Sequence, residues 1–449
     1  MQELRSGNPP HTATLQDRHR FHVPHPHLPH GLVTFPLPHR ILPWVEPWFL
    51  AYACLGVVQG GMLPLLLPLS AGGSTDAGAI VGVMNLAGLT APFWGHLADR
   101  RRLHRQVLLA GMLVVSVALL LMPVRLGLPL KAVLAGLLGV GFAAANTVAN
   151  MFIVEVRPAE EWDARIGALQ ALSGLGQVAG LLLAGFLGSR YALAFGVAAA
   201  LVAAAVPTAW LTLRGIHVPV PRAAVTAHPP VGGEGWACSP QRLFHLPTRR
   251  GLATLWRELE MPFAHLLIVW FVAFVAIGAV LTMFPLAVME RFGVSARLPA
   301  SVYAFAAAVS LFVYPLAAAL AKQHGGRVVL QAGFFIRAVA IAVIALAFLA
   351  AMDGTRLALL GFAALVLAWP LLGVSGTALS AQLAPGEKGE ALGLFNASSS
   401  LAGAVGALLG GWAMEGLGYG ALCMLAAGVV ALATLSTIGL RVGKLSPSA

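Results

Sequence analysis

Apolar residues fall in long blocks broken by short polar gaps. Blocks of about 20 residues, the length a helix needs to cross the hydrocarbon of a bilayer, lie near 47–70, 77–97, 106–124, 130–153, 166–187 and 191–213. A second series lies near 263–288, 299–321, 328–351, 356–379, 391–413 and 420–440. The pattern predicts an all-α membrane protein of twelve transmembrane helices in two six-helix bundles. It divides the chain into a disordered His/Pro-rich tail over 1–44, a first bundle over 45–214, a linker over 215–261, a second bundle over 262–441 and a short tail over 442–449. The linker is marked by Pro219, Pro221, Pro229, Pro230, Gly232, Gly233 and Gly235. Residues 1–44 contain no apolar core of a signal peptide, so the first apolar run is expected to remain as a helix.

Charge adds an orientation. With the amino terminus inside, cytoplasmic segments carry Arg100, Arg101, Arg102, Arg105, Arg157, Arg165, Arg214, Lys322, Arg327, Lys388 and Arg441. The other side holds only Arg125, Lys131, Arg190, Arg291, Arg297 and Arg356. Positive residues favour the cytoplasm. The expectation is a multi-pass inner-membrane protein with both termini cytoplasmic, and an odd helix count would scramble the bias.

Composition agrees. The chain is 58% hydrophobic and 10% charged with mean hydropathy +0.82, against roughly 25% charged residues in a soluble domain. The net charge of +11 would point to nucleic acid in a soluble protein. Here the arginines sit in short clusters between apolar runs, so no nucleic-acid partner is read. Cys54, Cys238 and Cys423 are far apart and form no metal or disulfide spacing. His22, His25, His27 and His30 alternate with Pro24, Pro26 and Pro29. Neutral imidazoles ligate metals, but the prolines oppose a compact coordination sphere, so no metal and no cofactor is expected.

The two series repeat in detail. Gly167, Ser173, Gly180 and Gly185 recur as Gly393, Ser399, Gly406 and Gly411, each 226 residues on (393 − 167 = 411 − 185 = 226). Parallel repeats of this kind are one plan for secondary transporters.

Gly95-His96-Leu97-Ala98-Asp99-Arg100 closes predicted helix 2, with Arg101, Arg102 and Arg105 following. Gly95 permits close backbone approach. Asp99, about one turn on, can complement a neighbouring helix N-terminus, which carries roughly half a positive charge. The stretch resembles the signature loop between helices 2 and 3 of the major facilitator superfamily, Gly-x-Leu-Ala-Asp-Arg-x-Gly-Arg-Arg. It departs at Arg102, where the second Gly would stand, and at Leu103. A weaker copy, Leu320-Ala321-Lys322 before Gly325, Gly326 and Arg327, lies between predicted helices 8 and 9.

The resemblance covers about residues 45 to 441 and implies two bundles around a cavity that opens alternately to either side. Gly95, Asp99 and Arg100 would then form a gate motif. In that family helices 1, 4, 7 and 10 line the pathway. Here they offer Tyr52, Gln59, Asn146, Asn150, Trp270 and Thr377, with Gln170 and Asn396 at equivalent places on helices 5 and 11. Amides and aromatics in an apolar cleft suit a ligand of mixed polarity, and each also suits a helix–helix hydrogen bond. Asn146 and Asn150, one turn apart, are expected to present two amides together. Gly176, Gly180 and Gly185, with Gly406, Gly410 and Gly411, resemble the family's antiporter motif, although Leu181 and Ala407 replace its proline. They read as tight packing or as an antiport hinge.

No Asp or Glu is expected at mid-depth, which weakens proton coupling without removing it; Glu46, Glu155 and His265 are the groups able to titrate in a wet cavity. Arg337 is the one deep cation. It reads as a structural arginine bonded to carbonyls, or as the counter-charge of an anionic substrate or of a distant carboxylate. No nucleotide-binding loop or hydrolase motif is evident, so neither an ATP-driven pump nor an enzyme is expected. The leading expectation is a secondary transporter, acting as a monomer, that exports a small apolar or weakly polar compound, with protons as the coupling ion to test. The alternatives are uptake or facilitated diffusion of a sugar-like metabolite and, in another class, a non-transporting membrane sensor.

Overall fold

The protein is described from a computed structural model that covers residues 45–440 apart from 102, 125, 157–160, 189, 215–261, 351–353 and 384–387. The histidine-rich tail over 1–44, the linker over 215–261 and the tail over 442–449 therefore lie outside the described residues. Among the described residues there are twelve helices long and apolar enough to cross a membrane, and no strand.

In the first set, α1 runs as Pro47–Gly56, a π-helical Val57–Met62 and Leu63–Leu69. α2 runs as Ser74–Ala87, a 3-10 turn Gly88–Thr90 and Ala91–Arg101. α3 (His104–Leu121), α4 (Leu128–Val156), α5 (Trp162–Leu187) and α6 (Tyr191–Thr212) follow. In the second set come α7 (Pro262–Phe292), α8 (Arg297–His324) and α9 (Gly326–Leu349). α10 breaks between Thr355–Leu367 and Trp369–Gln382, and α11 (Lys388–Leu417) and α12 (Tyr419–Ser436) complete the set. Several helices outrun their apolar blocks, α7 and α11 by about a turn. Hydropathy reports the thickness of the oil, whereas backbone hydrogen bonding continues into the interface.

Each set has its own core. The first gathers Phe49, Leu55, Met62, Leu66, Phe142 and Phe195; the second gathers Trp270, Phe284, Phe334, Ile341 and Phe362. The outside is also apolar. Phe186, Phe305, Leu360 and Trp412 are each 68% exposed and Leu432 67%. At roughly 25 cal/mol per Å² of apolar surface, water is a poor solvent for such a belt and lipid a good one.

The repeated glycines explain the packing within each set. A methyl group on Gly180 would stand 2.0 Å from the Val57 carbonyl oxygen, and one on Gly176 2.4 Å from that of Ala53, so α5 lies backbone to backbone on α1. In the second set a methyl on Gly406 would stand 2.4 Å from the Val275 oxygen, and Gly410 meets Ala279, so α11 lies the same way on α7. Small residues permit this approach where lipid gives no hydrophobic drive to bring helices together.

The number of spans is even, so α1 begins and α12 ends on one face, called here the terminal face. The two sets join through α2 with α11 and α5 with α8. The closest approaches lie toward the opposite face. Methyl groups on Gly78 and Gly411 would stand 2.4 Å from the oxygens of Ala407 and Ser74. The Thr75 hydroxyl donates to the Glu415 carboxylate. Gly185 and Gly188 face Ala300 and Ala296 of the α8 region, and the Arg297 guanidinium lies 5.3 Å from the Phe186 ring centroid. Toward the terminal face Gly167 and Gly393 border open space, and Gln170 and Asn396 are exposed. Among the described residues the two sets thus approach each other most closely toward the face away from the termini.

The weaker motif copy has a clear local role. Gly325 ends α8 at φ +87°, a left-handed conformation that glycine adopts without strain. Arg327, two residues on, donates to the backbone oxygens of Ile438 and Leu440, meeting carbonyls at the negative end of α12.

Candidate functional site

In the first set the polar residues converge on the π-helical segment of α1. A π segment adds a residue to a turn and often marks a functional site. It places Gln59 where its Oε1 accepts from Asn146 Nδ2 of α4 at 2.8 Å. Asn150 does not join as a second free amide. Its Nδ2 donates to the Asn146 backbone oxygen at 2.9 Å, one turn back on its own helix. Tyr52, 7% exposed, makes a polar contact with Gln170 of α5. Gln177 packs its stem against Gly60, where a methyl would stand 3.2 Å away.

The second set answers with aromatic rings. Trp270 of α7 is buried, and its Nε1 donates to Ser399 Oγ of α11 at 2.8 Å. Its ring stacks on Phe274 at 4.0 Å and tilts against Phe395 at 4.4 Å. Phe274 meets Trp369 of α10 edge to face at 5.7 Å. Gly376 makes room for the indole, since a methyl there would come within 2.6 Å of it. Thr377 is exposed, its hydroxyl bonded to the Gly373 oxygen at 2.6 Å. Asn396 is exposed on α11.

Tyr52 and Trp270 hold equivalent places in the two repeats. They are 218 residues apart, as are Val57 and Val275 (270 − 52 = 275 − 57 = 218). Each sends a polar ring atom toward the helix that packs behind it, α5 or α11.

Arg337 is the twelfth residue of α9 and only 2% exposed. Its guanidinium lies 5.4 Å from the Trp369 ring and 5.8 Å from the Phe274 ring, with Tyr303 and Tyr314 of α8 beside it. Cation–π attraction offsets part of the cost of burial, which for a charge at mid-membrane is roughly 2.5–3.5 kcal/mol on insertion scales. Nε and Nη1 nevertheless have no hydrogen-bond partner among the described residues. The carbonyl partners expected of a structural arginine are not found there.

Of the gate motif, Gly95 is buried in α2. Asp99 and Arg100 belong to the helical stretch Ala91–Arg101, and their side chains lie outside the described part of the structure. Just upstream, Trp94 Nε1 donates to Thr90 Oγ1 at 3.1 Å, tying the 3-10 turn to the last helical stretch. At the same face Arg165 bridges Glu46 and Glu161, both at 2.8 Å, and Trp48 donates to Glu46. Glu46 is thus held in an ion-pair network between α1 and α5.

Sequence reasoning missed Phe274, Phe395, Tyr303 and Tyr314, because an aromatic residue carries no signal inside an apolar run. Ser399 was visible only as the repeat partner of Ser173. A separate pocket of about 580 Å³, lined by Ser70, Lys131, Arg190 and Tyr191 among others, lies toward the opposite face of the first set and touches none of the predicted cavity residues. Among the described residues, no three His, Cys, Asp or Glu side chains gather to hold a metal ion.

The sequence model described as Major Facilitator Superfamily matches residues 48–375. No curated protein matches the chain by sequence. Among solved structures, a nucleoside transporter, NupG, aligns with TM-score 0.68 at 12% identity over 88% of this chain and 99% of its own. An auto-inhibited peptide transporter of the POT family aligns with TM-score 0.68 at 16% identity over 91% and 99%. A D-xylose–proton symporter aligns with TM-score 0.61 at 15% identity over 87% and 97%. At such identities these likenesses establish a shared fold, and the sequence match across nearly three quarters of the chain establishes kinship: the chain belongs to the Major Facilitator Superfamily.

Proposed function

We propose that this protein is a secondary active transporter that binds a small organic solute between the amides of α1 and α4 and the aromatic wall of α7, α10 and α11. It moves the solute by rocking the two bundles about that site. The observation that carries the reading is the Gln59–Asn146 pair, which joins the π-helical segment of α1 to α4, in a chain whose two bundles meet most closely toward one face. The bound solute carries hydrogen-bonding groups for the amides and an apolar body for the rings. The similar structures are named for nucleosides, peptides and D-xylose, all small organic solutes with hydrogen-bonding groups, which supports a small organic solute here.

In our reading the terminal face is cytoplasmic, because the arginine clusters lie there, and net movement is export. The close glycine packing of α5 on α1 and of α11 on α7 supports that direction through its likeness to the antiporter motif. Protons are the coupling ion to test, given the proton symporter of the same fold. The chain works as a monomer, each bundle supplying one wall.

The test is solute flux in vesicles containing the purified protein, after a thermal-shift screen has found solutes that stabilise it. Accumulation that collapses with a proton ionophore supports coupled transport. Flux that only equilibrates the solute points to facilitated diffusion. Binding without flux rejects transport in favour of a sensor.

A further inference from the structure

We propose that Arg337 is the receptor for an anionic group, a carboxylate or phosphate, carried by the transported solute. The inference deepens the transport reading above and rests on it.

A buried guanidinium needs a counter-charge or acceptors, and α9 supplies neither. Arg337 lies about 16 Å along the helix from its first residue, at the 1.5 Å rise of an α-helix. Within its helices the second set places acidic residues only near the ends: Glu290 in the last turn of α7, Glu390 in the first of α11 and Glu415 in its last; Asp353 and Glu387 fall between helices, outside the described residues. Helices α8, α9, α10 and α12 contain none. Glu415 accepts from Thr75 on the far face of the bundle. No acid of this bundle's described helices therefore lies at mid-depth.

The four neighbouring rings give the cation π faces or a phenol, and Nε and Nη1 stay without acceptors among the described residues. No acceptor for these two atoms is found among the described residues, and an anionic ligand would supply one. Its access route is visible. Trp369 stands at the break in α10, is 39% exposed, covers the guanidinium and makes a polar contact with Tyr314. Displacing this one indole opens Arg337 to the side where Trp369 is exposed. Phe274 and Trp270 then offer an apolar wall beside the anion. The ligand class is an organic anion with an aromatic or aliphatic body.

The test uses the purified full chain and matched pairs: benzoate against benzamide, indole-3-acetate against its amide, and a phenyl phosphate against phenol. Inorganic phosphate and chloride serve as separate arms. Thermal shift and tryptophan fluorescence read binding. The organic anions are expected to bind and their neutral partners not. Arg337→Gln should weaken the anions by roughly ten- to hundredfold, the worth of a charged hydrogen bond. Where that variant does not accumulate in the membrane, Arg337→Lys makes the same comparison, since it keeps the charge and loses the planar fork. Equal binding of anion and amide by the wild-type protein overturns the proposal whatever the variants do. So does an unchanged anion affinity in Arg337→Gln. A full response to chloride or inorganic phosphate alone overturns the organic-solute assignment. Flux separates the two layers: Arg337-dependent binding without flux retires transport and keeps the anion site, whereas flux of a neutral solute untouched by Arg337→Gln retires the anion site and keeps transport.

Discussion

Gly180 shows how strongly one residue is constrained where two backbones touch. With the Val57 oxygen 2.0 Å from where a methyl would sit, Gly180→Ala has to push α5 off α1. Overpacking of this kind costs about 1–3 kcal/mol, and a lower melting temperature and lower yield in detergent are expected. Gly167→Ala, which meets open space, serves as the control and should match the wild type. Asn146→Ala removes the acceptor's partner at Gln59. Insertion should be unchanged and the KM for flux should rise roughly two- to tenfold, the worth of one neutral hydrogen bond. A KM that does not move would place the solute elsewhere. Polar residues such as Gln59 and Asn146 were legible in the sequence because an amide stands out in an apolar run. The aromatic wall was not, since Phe274 and Phe395 differ from lipid-facing Phe305 only in the direction they point. The empty guanidinium of Arg337 was likewise hidden: a sequence shows that a cation is deep, but not whether a carbonyl lies within 3 Å.

Among the elements, α5 does two jobs at two heights. Gly176 and Gly180 bind it to α1 of its own bundle, while Gly185 and Gly188 face the other bundle across α8. In the rocking motion proposed above, the first contacts would persist and the second would open. Substitutions at Gly176, Gly180, Gly406 and Gly410 are therefore expected to reduce the amount of folded protein. Gly78→Leu and Gly411→Leu should leave more of it intact and shift it toward opening of the face away from the termini, read as greater reactivity of cysteines placed there. The repeat itself was plain in the sequence, but the partner of each glycine was not, because two helices related by 226 residues can pack inward or across. The end of α2 carries a third prediction. Asp99→Asn should slow flux while insertion is kept, and unchanged flux in vesicles would reject its role as a gate.

For the whole molecule, the even count of spans and the two cores followed from block length alone. Oil thickness is a constraint that composition records directly. Which face brings the two bundles closest did not follow, because block length and charge do not say which glycines of one bundle meet the other. Thr75 and Glu415 offer a handle on it. In a chain with Cys54, Cys238 and Cys423 replaced by Ser, the pair Thr75→Cys and Glu415→Cys should cross-link on oxidation and halt flux, with recovery on reduction. A protein that is fully cross-linked and still transports would show that α2 and α11 never part there.

One bundle presents amides and the other rings with a buried cation, so duplication has left unlike partners on either side of the pathway. A passenger held between them is read as a head and a tail rather than as a shape with two equal ends. Such a passenger fits in one direction only, so moving its hydrogen-bonding group from one end of the solute to the other should lower the flux measured in vesicles.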